Sequence, residues 1–272
     1  MHKKEQKVIS ATKKPATIET LVTDLRSLGV EQGMLLLVHS SLSVLGWVCG
    51  GAVAAVLALE EALGAEGTLV MPAHSGDLSD PRSWENPPVP YEWWEIIRDA
   101  MPAYDIEMTP TSHMGAIVEA FRGQDGTKRS VHPQLSFCAR GPLADQIIAG
   151  HALDFGLGEE SPLARIYDLQ GQVLLLGVGH ANNTSLHLAE YRAEYRDKRI
   201  VTNGAPISEE GQRRWVEFED VDIDSGDFER LGADFEAEGL AQVGLVAQGN
   251  ARLMPQRPLV DYAQRWIEKG RG

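Results

Sequence analysis

The chain has 272 residues, with 25 Lys plus Arg against 39 Asp plus Glu, a formal charge of −14, and 43% hydrophobic residues. These proportions belong to a folded globular protein and exclude a disordered chain, a coiled coil and a collagen. The acid excess disfavours nucleic acid, whose phosphates are read by clustered Lys and Arg, and no run approaches the ~20 apolar residues of a membrane span. Two cysteines, Cys49 and Cys138, supply neither a disulfide framework nor a Cys-type zinc site. Met1 to Lys14 is basic without an apolar core behind it, so no signal peptide is expected and the cytoplasm is the expected compartment. A charge of −14 serves solubility or attracts a cationic small molecule.

No repeat, low-complexity block or linker divides the chain, so residues 1–15 read as a flexible polar tail and 16–272 as one domain. Thr17 to Leu28 has the helical apolar period, stopped by Gly29. Met34 to Val38 is a continuous apolar run, the pattern of a buried strand. Ala52 to Leu63 reads as a helix ending at Gly64, and Thr68 to Met71 as a second buried strand closed by Pro72. Asp77 to Tyr104 holds five prolines and three tryptophans (Trp84, Trp93, Trp94), either a surface excursion or a lid over a pocket. Val173 to Gly177 is a third buried strand, with a helix from about Asn183 to Tyr195. Arg214 to Glu219 alternates and Leu240 to Ala247 looks strand-like, which reads as an antiparallel extension of the sheet. The expected fold is α/β: a central, mainly parallel sheet, flanking helices and a C-terminal antiparallel extension.

Ligands of open α/β sheets sit beyond the carboxyl ends of parallel strands. Three polar turns occupy such ends: His39-Ser40-Ser41, His74-Ser75-Gly76-Asp77 and His180-Ala181-Asn182-Asn183-Thr184. Asn183 and Thr184 serve equally as helix caps. His187 and Glu190 stand three apart, on one helical face, where a carboxylate can orient an imidazole as a general base; an ordinary surface pair has the same spacing. His132 precedes Pro133, which holds its backbone extended, with a structural or a functional role equally open. A G-x-S-x-G elbow, a phosphate-binding G-x-x-x-x-G-K-[ST] loop and an H-E-x-x-H helix are missing. Gly177-Val178-Gly179 lacks the third glycine of a dinucleotide site, and the eight histidines lack metal spacing. Metal and nicotinamide chemistry are disfavoured.

Taken in order, Val38-His39-Ser40-Ser41-Leu42, Gly67 to Pro72, Lys128-Arg129-Ser130-Val131-His132-Pro133, Gly158 to Ala164, Leu174 to Gly177 and Asn183 to Glu190 resemble the aminoglycoside N3-acetyltransferases. The resemblance runs from about residue 20 to 260, and the Pro/Trp segment is similar to that of a subgroup of bacterial homologues. It implies transfer of acetyl from acetyl-coenzyme A to the 3-amino group of the 2-deoxystreptamine ring, without a metal, as in antibiotic resistance. It implies His187 as the base, with Glu190 the local candidate to orient it, and His39, Ser40, Ser41, Leu42, Met114, Gly115 and Arg129 against the coenzyme. Asp77, Glu159, Asp220 and Asp222 would face the cationic acceptor, although Asp220 and Asp222 also fit a solvated acidic face. A homodimer is the candidate assembly. Competing readings keep the transfer but change the amine acceptor, make a serine amidase of Ser40 or Ser41 with His187 and Glu190, or leave a coenzyme-binding protein without catalysis.

Overall fold

In the computed structural model, which describes residues 2–271, the chain opens with helix α1 (His2–Ala11) and helix α2 (Ile18–Leu28). The stretch expected as a flexible tail is thus helical over α1, and Thr12 beyond it accepts a hydrogen bond from Trp47 N at 2.8 Å. Thr17 and Thr20 form a reciprocal capping box at the start of α2, and Gly29 ends it in the left-handed region with φ 111°. Then follow β1 (Leu35–Ser40), α3 (Gly51–Leu63) and β2 (Thr68–Pro72). The Pro/Trp segment contains α4 (Trp94–Ala100), after which come α5 (Ala116–Arg122), β3 (Lys128–Arg129), β4 (Phe137–Arg140), α6 (Ala144–Ile148) and α7 (Pro162–Asp168). The remainder is β5 (Gln172–Leu176), α8 (Ser185–Arg192), β6 (Ile200–Glu209), β7 (Gln212–Val221), α9 (Phe228–Ala237), β8 (Gln242–Val246), β9 (Gly249–Pro255) and α10 (Gln256–Gly270).

The main sheet has the order β3-β4-β2-β1-β5-β9-β8. Its centre is parallel: Leu37 of β1 lies opposite Val70 of β2 on one side and Val173 of β5 on the other. Parallel pairing is confined to these three strands, because β4 and β9 join β2 and β5 antiparallel and β3 and β8 continue the same way outward. The apolar runs are continuous because both faces are covered. Leu36, Val38, Leu69, Met71, Leu174 and Leu176 pack under α2, α3 and α5, while Leu35, Leu37, Val70, Val173 and Leu175 pack against α6 to α10. The sheet is the middle layer of three.

The C-terminal strands divide. β8 and β9 extend the sheet as expected, whereas β6 and β7 pair only with each other, in a separate ribbon running from Ile200↔Val221 to Glu209↔Gln212. Its turn places Glu210 and Gly211 at φ 52° and 76°, the geometry of a two-residue hairpin that twists with its strands. The Pro/Trp segment leans on this ribbon: Tyr104 N donates to Pro206 O at 2.9 Å, and Arg213 Nε to Met101 O at 2.6 Å. Among the described residues no helix is long and apolar enough to cross a membrane.

Candidate active site

The three polar turns lie together because parallel strands end on one edge of the sheet. His39 and Ser40 close β1, His74 follows β2 and His180 follows β5. The chain passes from β1 to β2 on one side and returns to β5 on the other, so the carboxyl ends of β1 and β5 flank a crevice where loops diverge. A cavity of about 840 Å³ opens there, lined among others by Ser40, Ser41, Leu42, Met114, Gly115 and Asn182. Five of the expected coenzyme residues thus share one wall system. His39 lies behind them, 7% exposed.

His187 stands on α8 with its Nδ1 2.8 Å from Glu190 Oε2 and its side chain 13% exposed. An ionised carboxylate only accepts, so Nδ1 carries the proton and Nε2 presents a lone pair. The imidazole packs 4.8 Å from the ring of Phe228, and Glu190 is fully buried beneath it. Burial holds His39 near a pKa of about 3, with a further push from the positive charge His187 would carry; His74 is held near the same value by the same two effects, among others. His39 and His74 are thereby kept neutral at the ends of their strands. The Nε2 atoms of His39 and His74, and the Ser40 hydroxyl, are buried without protein partners. A serine nucleophile would need a bond to its base, and Ser40 makes none. Ser41 Oγ meets only Ser43 Oγ, at 3.4 Å.

Other expected residues are placed elsewhere. Arg129 is 6% exposed and turned inward: Nε donates to Ser136 Oγ at 3.0 Å, and Nη1 and Nη2 to Thr109 O and Ala73 O at 2.6 and 2.7 Å. Its donors are consumed by the loops that frame the site, so it does not reach the cavity for a coenzyme phosphate. Asp77 is exposed, bonded to Ser112 Oγ at 2.5 Å, and borders a depression of about 440 Å³ with Trp84 and Asn86. Glu159 borders a different one, of about 310 Å³, and a two-point ion pair with Arg192 (2.6 and 2.9 Å) draws its pKa down and neutralises it locally. Asp220 is no solvated face: it is 3% exposed, burial raises its pKa, and it accepts the Tyr191 hydroxyl. Asp222 is exposed and lines a cavity of about 580 Å³ with Asp224 and Asp227. The four acids do not share a single pocket.

His132 is structural. Its Nδ1 accepts the amides of Gln134 and Leu135 at 3.1 and 3.0 Å, and Nε2 donates to Leu153 O at 3.2 Å. Asn183 and Thr184 do not cap α8 through their side chains; Asn183 instead approaches His180 Nδ1 at 3.5 Å. Several residues of the site escaped sequence reasoning, Gly50 and Gly51 of the cavity wall among them. Glu5 and Val8 of α1 line the main cavity, and Arg271 binds Glu190. Their only signal would have been long-range contact, which periodicity does not carry. Among the described residues no three His, Cys, Asp or Glu side chains cluster as a metal site.

Known proteins share this sequence pattern and this fold. The profile of the aminoglycoside 3-N-acetyltransferase family matches residues 37–268. The SPbeta prophage-derived aminoglycoside N(3')-acetyltransferase-like protein YokD of Bacillus subtilis (strain 168) is 47% identical over 263 residues, 96% of each chain. Its crystal structure matches with a TM-score of 0.95 over 97% of this chain and 98% of that one. Aminoglycoside N(3)-acetyltransferase VIII of Streptomyces fradiae is 36% identical, covering 98% of this chain and 97% of its own. A binary complex of AAC-IIIb with CoASH, 30% identical, matches with a TM-score of 0.86 over 95% and 98% of the two chains. The chain belongs to the aminoglycoside 3-N-acetyltransferase family.

Proposed function

We propose that this chain transfers the acetyl group of acetyl-coenzyme A to the 3-amino group of the 2-deoxystreptamine ring of an aminoglycoside, in the cytoplasm, where the thioester is available. The observation that carries the reading is the His187–Glu190 pair, a lone-pair Nε2 held by a buried carboxylate at the edge where β1 and β5 end. An aminoglycoside amine is mostly an ammonium ion at neutral pH and attacks only when neutral. His187 Nε2 takes that proton, and Glu190 stabilises the imidazolium that results. The C–N bond then forms at the thioester carbonyl as the C–S bond breaks, and the coenzyme leaves as a thiolate that takes up the proton the nitrogen sheds in becoming an amide. The orphaned Ser40 hydroxyl and the unpaired Nε2 of His39 are donors for acyl or pantetheine oxygens.

For the phosphates the support lies in the backbone rather than in Arg129. Gly50 and Gly51 line the cavity at the start of the thirteen-residue α3, which has no side-chain cap; the Gly51 amide bonds Val48 O at 2.9 Å, which leaves the Ala52 and Val53 amides for an anion. Asp77 is the acid best suited to an ammonium group of the acceptor, being exposed at a strand-end turn and free of a cationic partner among the described residues.

The test is release of free thiol from acetyl-coenzyme A with a panel of aminoglycosides. Amine-dependent thiol is expected, and His187→Ala should lower kcat about 10²- to 10⁴-fold while acetyl-coenzyme A still binds. Thiol release without any amine would indicate hydrolysis, and a His187→Ala variant that keeps most of its rate would remove His187 from this role.

A further inference from the structure

Glu190 is buried on the turn of α8 beneath His187, its side chain 0% exposed. A carboxylate so placed needs a cation and hydrogen bonds, or it takes up a proton. Oε2 is occupied by His187. Oε1 accepts the Asp224 amide at 2.9 Å and Arg271 Nη1 at 2.5 Å, with the Tyr195 hydroxyl at 3.5 Å. Arg271, just past α10, is itself clamped. Nε and Nη2 grip Asp227 at 2.9 and 2.5 Å, and Nη2 donates to Asp224 O at 2.7 Å. Its guanidinium lies 5.5 Å from the Tyr195 ring and 5.9 Å from Phe228, the ring that also packs on His187. A side chain held at this many points, 13% exposed, is not a solvated charge.

We infer that Arg271 is a positioning residue of the acetyl transfer: clamped by Asp227, its guanidinium fixes the Glu190 carboxylate and offsets the charge that this carboxylate presents to His187. The inference rests on reading His187 as the base. The groups facing the pair make the need plain. From β7 comes Asp220, bonded to Tyr191 of α8; from the loop before α9 come Asp224 and Asp227; from β1 comes His39, and from the turn after β2 His74. Asp197, Arg199 and Asp222 line the cavity that reaches Arg271 from outside. The surroundings of the pair are dominated by carboxylates, and Arg271 is the cation in contact with Glu190. Without it Glu190 would draw a proton onto the pair at higher pH, and a base already protonated accepts nothing.

The experiment compares Arg271→Gln and Arg271→Ala, which remove the charge, with Arg271→Lys, which keeps it, in the full chain. Two readouts are taken: the acid limb of kcat/KM against pH, and the titration of the His187 imidazole by nitrogen NMR without substrates. In the neutral variants both midpoints should rise by about one pH unit, so that activity falls roughly tenfold on the acid side and recovers toward alkaline pH. Arg271→Lys should stay within a few tenths of a unit of the parent. A pH-independent loss, or an unmoved His187 titration in a folded neutral variant, would overturn the inference. If the titration shifts but His187→Ala retains turnover, the base reading fails while the link from Arg271 to the pair stands. Should Arg271→Ala not fold, Arg271→Gln, closer in shape, decides the matter.

Discussion

Arginine behaves at a single position according to what its five donors meet. Arg129 and Arg271 are both held at several points, yet one props loops and the other meets a carboxylate beside the candidate base. Replacing Arg129 with Met should leave the partly buried Thr109 carbonyl without its donor and take one of two donors from the Ala73 carbonyl, along with the bonds to the Ser75 and Ser136 hydroxyls. The expected cost is about 3 kcal/mol of stability, read as a lower urea midpoint, with KM for acetyl-coenzyme A unchanged in the folded fraction. A raised KM at unchanged stability would return Arg129 to the coenzyme. Gly232 makes the same point about context. A Cβ there would lie 1.9 Å from the His180 ring, so Gly232→Ala should destabilise by roughly 2–3 kcal/mol in thermal unfolding. Helix propensity alone predicts a gain of about 1 kcal/mol from the same change.

Among the elements, those specified by their own residues were legible and those specified by partners were not. The apolar runs of β1, β2 and β5 and the capped, periodic α2 fall within about two residues of their expected bounds. The alternation in Arg214 to Glu219 foretold a strand correctly but said nothing about its neighbour, and β7 joined β6 in a ribbon. The turn that enforces this has Glu210 at positive φ, a position usually signalled by Asn or Gly. Likewise His187 and Glu190 were visible as an i, i+3 pair, whereas Arg271 lies some eighty residues on and no local pattern joins it to them. Helix α1 carried no apolar stripe strong enough to announce it, yet it brings Glu5 to the cavity. If that cavity takes a polyanionic coenzyme, Glu5→Gln should lower KM for acetyl-coenzyme A about two- to threefold at low salt. The difference should vanish near 1 M salt, where the Debye length is about 3 Å.

Across the whole molecule, histidine burial sets the response to acid. His39, His132 and His151 are 7%, 0% and 4% exposed, and burial holds their pKa values near 3, 4 and 3. The unfolded chain binds these protons near pH 6.5, while the folded one refuses them until about pH 3 to 4. Stability is therefore complete above pH 6.5 and falls as the pH drops toward 4, by roughly 1.4 kcal/mol per pH unit for each histidine at its steepest. Urea midpoints measured between pH 7 and 4 should decline steadily over this window; a flat profile would show that these rings are protonated in the fold. The net charge of −14 is likewise a distributed property. Glu159 is cancelled by Arg192, Glu190 by Arg271, and Asp220 is buried, which leaves Asp77 and Asp222 among the exposed members of the expected set.

The position of β5 also orders events in time. It sits between β1 and β9, and residues 177–248 intervene before its second neighbour begins. While those residues are being made, the apolar Val173 to Leu176 offers one open hydrogen-bonding edge, a template for another chain. Synthesis therefore passes through a stage in which this edge of the sheet has no partner.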